Sequence, residues 1–150
     1  MTLDFEKYAM KGNEFLHLLE THLGSPDRAH ASRVLRSTLH VLRNHMTMEE
    51  NLQLLSQLPM AIKGLYVEGW RKSPHKKIKS IEDFLIEIIE EEGSTAWRDF
   101  SNREEIIDAV KGVVNTLREY VSPGEMEQAL ATLPGKVRAM FDVPVEKHLK

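Results

Sequence analysis

Cysteine is absent from the 150 residues. That excludes a disulfide framework, thiolate zinc sites, iron–sulfur clusters and a cysteine nucleophile, and it is compatible with a reducing cytosol. Long apolar runs are missing as well: the best, residues 58–62, is far short of the roughly 18 residues a membrane-crossing helix needs. No membrane partner is expected. Residues 1–12 carry Asp4 and Glu6 beside Lys7 and no apolar stretch, so no secretory signal is expected and the chain is read as cytoplasmic. Neither Gly-x-Gly-x-x-Gly, nor a Walker sequence, nor a Gly-x-Ser-x-Gly elbow occurs, which removes the usual phosphate cradles and the hydrolase nucleophile. Excess charge is also lacking, with 20 Lys and Arg against 23 Asp and Glu and a net charge of −3. A polyphosphate partner has no electrostatic basis, and no nucleic acid is expected.

What is present is a globular composition, 41% hydrophobic and 29% charged, and at this length roughly 70% of the unfolded surface can be buried in one domain without staples. Charge is placed unevenly. Arg71, Lys72, Lys76, Lys77 and Lys79 crowd one segment, and residues 82–108 then hold ten acids against Arg98 and Arg103. With Ser73, Pro74 and His75, the basic stretch at about 71–80 reads as an exposed linker.

Sliding the sequence against itself reveals a duplication. At an offset of 75, residues 35–59 align with 110–134 without a gap, and seven of 25 positions are identical: Leu42/Leu117, Arg43/Arg118, Glu50/Glu125, Gln53/Gln128, Leu55/Leu130, Leu58/Leu133 and Pro59/Pro134. Upstream the offset is 69, matching Phe15-Leu16 to Phe84-Leu85 and Gly24-Ser25 to Gly93-Ser94. The second copy therefore carries about six extra residues, placed around 95–100. Apolar residues recur at three- and four-residue steps, as in Leu35, Leu39 and Leu42 or Ile106, Val110, Val113 and Leu117, which is helical spacing.

Start and stop signals divide each copy into four helices. Thr47/Glu50, Ser122/Glu125 and Ser101/Glu104 have the capping-box spacing, and Pro123 suits a first helical position. Gly24 and Gly93 mark the ends of first helices that begin at about 4 or 13 and at about 81. Pro59 and Pro134 precede fourth helices at 60–68 and 135–141, and Arg43 and Arg118 stand near helix C-termini, where the dipole favours cations. The expected architecture is all-α: one domain over 1–150, with tandem four-helix repeats at about 13–70 and 81–143 packed as a compact bundle.

Phe15-Leu16, the leucine-rich second helix, Leu58-Pro59, Gly64-Leu65-Tyr66 and Glu68-Gly69-Trp70 resemble the bacterial domain of unknown function 2267 family over residues 15–143. That resemblance implies a small all-helical bacterial protein with duplicated halves. It brings no activity and no site residue. The second copy departs from the pattern, with Met140-Phe141 where the first has Leu65-Tyr66, and it lacks the Gly-Trp pair.

Chemistry-bearing patterns are sparse. Glu14 and His17 have the Glu-x-x-His spacing of bundle metal sites and Asp27 and His30 a weaker version, but a dimetal centre needs a second such helix, and His17 aligns with Ile86. No metal and no other cofactor is expected. The glutamates at 87, 90, 91 and 92 read as a solvated face. The basic linker is the one candidate anion contact, and its pairing with the acidic stretch is the simpler reading. Tyr66, Trp70, Trp97 and Phe100 all lie where the copies differ. Either the extra segment packs Trp97 and Phe100 onto Tyr66 and Trp70, or these aromatics form an interaction surface. The sequence therefore points to a non-catalytic interaction or regulatory module that binds a protein partner or itself. A small-molecule pocket between the repeats is the alternative.

Overall fold

The computed structural model describes residues 2–71 and 78–142. Among them there are nine α-helices and no strand: α1 (Phe5–Leu23), α2 (Arg28–Asn44), α3 (Met48–Ser56), α4 (Met60–Val67), α5 (Ile81–Glu92), α6 (Ala96–Asp99), α7 (Arg103–Leu117), α8 (Pro123–Leu130) and α9 (Gly135–Ala139). Eight fall where sequence spacing put them. The ninth, α6, is a single turn that continues a 3-10 turn at Gly93–Thr95. No described helix is long and apolar enough to cross a membrane. Of the basic segment, residues 72–77 lie outside the described residues, while Ile78 is buried and Ser80 caps α5 by accepting the Asp83 amide.

Local chemistry explains the helix ends. Asp4 accepts the Lys7 amide, so α1 starts at the earlier of its two expected positions. Gly24 and Gly93 take φ of 72° and 67° and stop α1 and α5, a conformation that costs other residues more. Thr47 and Glu50 form a complete capping box. Two caps differ from expectation. Ser122 accepts the Glu125 amide, but its own N–H donates to Gln57 Oε1 at 2.8 Å, so a residue from the end of α3 replaces Glu125 in the reciprocal bond. At α7 the cap is Asn102 and not Ser101. Asn102 is the extended residue beside the first turn and accepts the Glu105 amide at 3.0 Å, whereas the Ser101 amide donates to the Glu105 carboxylate.

The helices interleave the two ends of the sequence. α1 packs on α2, α4 and α7; α2 packs on α4, α5 and α7; α3 meets α4 and α8; and α5 meets α7 and α9. Phe15, Leu19, Leu35 and Tyr66 from the first half share one buried cluster with Phe84, Ile88, Val110 and Leu117 from the second. Two glycines permit close crossings: a Cβ on Gly12 would stand 2.8 Å from the Ala61 Cβ of α4, and one on Gly112 would stand 2.6 Å from Leu23 Cδ2 of α1. Arg43 donates to the carbonyls of Tyr66 and Glu68 at 2.6 and 2.8 Å, and Arg118 to that of Phe141 at 2.9 Å. The negative helix end that each arginine satisfies thus belongs to the last helix of its half, not to its own.

Candidate functional site

On α5 the side chains of Phe84, Leu85 and Ile88 enter the core, while Ile86 and Ile89 sit outside that stripe, 51% and 41% exposed. After Gly93 breaks the helix, the 3-10 turn and α6 carry the chain back over α5 with Trp97 outward, 75% exposed, and Phe100 inward. α7 contributes buried Ile106. Between the three helices runs an open apolar groove of about 530 Å³, lined by Ile86, Ile89, Trp97, Phe100 and Ile106 with Leu85 and Ala96. An ion pair between Glu82 and Arg103, at 2.9 Å, lies in its wall.

The position of α6, and hence of the groove, depends on Asp99. Its buried carboxylate accepts two bonds from Arg33 of α2, at 2.8 and 2.7 Å, and meets His30 Nδ1 at 2.8 Å. This is the bidentate fork geometry for which guanidinium is suited. Burial alone would raise the Asp99 pKa; the bonds from Arg33, Glu92 and His30 outweigh it and hold the group well below the usual carboxylate range. Glu92, the last residue of α5, moves the other way. Burial, and then the adjoining Asp99 carboxylate, push it up to about 7. Two carboxyls in one pocket separate in this manner because both cannot ionise cheaply.

Further along the same α2–α5 seam, His40 is held between the Leu65 carbonyl at Nε2, 2.8 Å away, and the Glu91 carboxylate at Nδ1, 3.1 Å away. His45 meets Glu87 at 2.5 Å, and on α1 His22 meets Glu119 at 2.6 Å. Each of these three contacts joins the first half of the chain to the second. Glu87 and Glu92 are partly buried, and Glu91, though exposed, is bonded to His40: positions 87 and 91, four apart, share the side of α5 that faces α2. The consecutive run of acids concealed that spacing.

A second opening, of about 670 Å³, lies where the end of α1 and the start of α2 meet α6 and α7. It is polar, with His22, His30, Asp99, Glu105, Asp108 and Lys111 in its lining. Among the described residues no group of three or more His, Asp or Glu comes together in a way that could hold a metal. The Glu-x-x-His pairs are engaged elsewhere: Glu14 with Lys11, His17 with Glu20, and Asp27 as the α2 cap accepting the His30 amide.

The four aromatics that sequence reading singled out divide into two places. Tyr66 is fully buried, hydrogen-bonded to Asn51, and packs edge-on against half-buried Trp70, over which Arg43 lies 5.8 Å from the ring centre. Phe100 is buried with its ring edge to His30, and Trp97 is exposed with Arg98 over it at 5.5 Å. Trp97 and Phe100 belong to the groove; Tyr66 and Trp70 do not line it. Ile86, Ile89 and Ile106 were overlooked. Their signal was available, because residues 84–89 are apolar on more than one side of a helix, more than a single core stripe requires.

A family model described as an uncharacterized conserved protein (DUF2267) matches residues 12–140, and the chain belongs to that family. Comparison with curated proteins finds no match.

Proposed function

We propose that this member of the DUF2267 family is a non-catalytic protein-interaction module of the cytoplasm, built from two tandem four-helix repeats, that receives a partner segment in the groove between α5, α6 and α7. One observation carries the reading: Ile86, Ile89 and Trp97 are 51%, 41% and 75% exposed around a single apolar groove. Contiguous exposed apolar surface costs solubility and marks interaction sites, with tryptophan the commonest anchor. The duplication sharpens the point. At the offset of 69, Ile86 and Ile89 correspond to His17 and Glu20, so a helix in this position does not need apolar residues there.

The repeat organisation has its own support. If α5, α7, α8 and α9 are the second copies of α1 to α4, the contacts between halves reciprocate: α1 meets the copy of α2, α2 meets the copy of α1, and α3 meets its own copy. That is the pattern of an isologous dimer fused into one chain. The bonds from Arg43 to the Tyr66 carbonyl and from Arg118 to the Phe141 carbonyl repeat at the offset of 75.

The test is photo-crosslinking in the cell from a reactive phenylalanine analogue placed at 86, 89 or 97, with exposed Met60 on α4 as control. Discrete adducts from the groove positions, absent from position 60, are the expected result; their absence refutes the reading. The polar opening between α1, α2, α6 and α7 favours a second reading, a small polar ligand held between the halves. Native mass spectrometry separates the two, since a retained stoichiometric ligand mass supports only the second.

A further inference from the structure

We infer that the segment received by the groove is a basic amphipathic helix. The inference rests on the groove being an interaction site and adds the chemistry of the partner. Ile86 and Ile89 stand one helical turn apart on α5, Trp97 rises from α6, and between them lies about 530 Å³, within the range of roughly 300–1,000 Å³ that well-formed binding pockets span. Two helical walls around an apolar trough suit a helix with anchors at i, i+3 or i+4, and i+7. Among the described residues there is no strand, so no sheet edge invites strand addition.

Charge selects the sign. Residues 82–108, which form all the walls, hold ten acids against two arginines. Arg103 is already bonded to Glu82 and Glu104, at 2.9 and 3.5 Å, and Arg98 lies over Trp97. Four of the acids are drawn into the seam with α2 and α6. Glu82 lines the trough, Asp83 and Glu90 lie on the same helix, α5, and Glu104 lies in the first turn of α7. A second copy of this chain, bringing the same face, would set acid against acid, and an anionic membrane surface would be repelled likewise. A helix with lysine or arginine flanking its apolar stripe meets both demands.

The experiment titrates the whole protein calorimetrically with three synthetic peptides of about 14 residues, each with leucines at i, i+3, i+4 and i+7. The remaining positions are lysine, glutamate or glutamine. The lysine peptide is expected to bind, to lose about 30-fold in affinity against Trp97→Ala, and to lose at least about tenfold between 50 and 300 mM salt. Trp97 is exposed, so the variant should melt like the parent, which circular dichroism checks. Trp97-dependent binding of the glutamate or glutamine peptide at equal affinity overturns the basic partner and leaves the groove standing. Binding of no peptide, or lysine-peptide binding indifferent to Trp97→Ala, overturns both. A concentration-dependent dimer abolished by Trp97→Ala reassigns the groove to a second copy and refutes the inference.

Discussion

Replacing Asp99 by asparagine removes one charge from the contact that holds α6 against α2, and the structure sets the size of the effect. Asp99 accepts two bonds from Arg33 and one contact with His30. Charge-assisted bonds contribute about 1.5–3 kcal/mol each, and breaking a buried ion pair costs about 3–5 kcal/mol. Here the carboxylate is 1% exposed while the Arg33 and His30 side chains keep 28% and 22% exposure, so the partners can rehydrate. The asparagine oxygen can also keep one Arg33 bond. We therefore expect a loss at the lower end, about 2–3 kcal/mol, or about 4–12 °C in Tm for a chain of this length. Thermal melts of Asp99→Asn, Arg33→Met and the double variant measure it. The coupling energy should be about 1.5–3 kcal/mol, because either substitution alone breaks the same pair. A Tm change under about 2 °C, or strictly additive losses, would refute the view that this pair anchors α6.

Glu92 has a folded-state pKa of about 7 against an ordinary 4.5, so between these values the folded state holds a proton that the unfolded state has released. Its contribution is full below pH 4.5 and fades as pH rises through 7. Solvent screening of this half-buried group limits the effect to about 1–2 kcal/mol; Glu92→Gln should flatten the pH dependence of urea midpoints and exceed the parent above pH 7, and a steeper parent-like decline in the variant would contradict it. Among the glycines, Gly12→Ala should destabilise by about 1–2 kcal/mol, since the Ala61 Cβ at 2.8 Å belongs to a rigid neighbour and overpacking outweighs the helix-propensity gain of about 1 kcal/mol. Gly112→Ala meets the flexible end of Leu23 and should stay within about 1 kcal/mol of the parent; urea unfolding that ranked the two in the opposite order would overturn this account of the crossings.

Helix identity and order were properties of local sequence, readable from residues within a few turns of one another. The spacing of Leu35, Leu39 and Leu42, the stop at Gly24, the box at Thr47 and the break at Pro59 act within one turn or one junction, where the backbone's hydrogen-bonding needs leave few choices. The Asn102 cap shows the limit of that reading. Ser101 and Asn102 are both competent, and the one whose extended backbone aims its oxygen at the Glu105 amide takes the role.

Which side chains meet across the molecule was decided by tertiary structure alone. Asp99 and Arg33 are 66 positions apart, and His40 and Glu91 are 51 apart. No short-range pattern distinguishes the acids of α5 that face α2 from those that face water, because helix packing sets that orientation. The aromatics teach the same lesson. Tyr66 and Trp97 are both large aromatics on helices, yet one is fully buried and the other 75% exposed. Exposure depends on what packs above a residue, and for Trp97 that is settled by a one-turn helix pinned from the far half of the chain through Asp99.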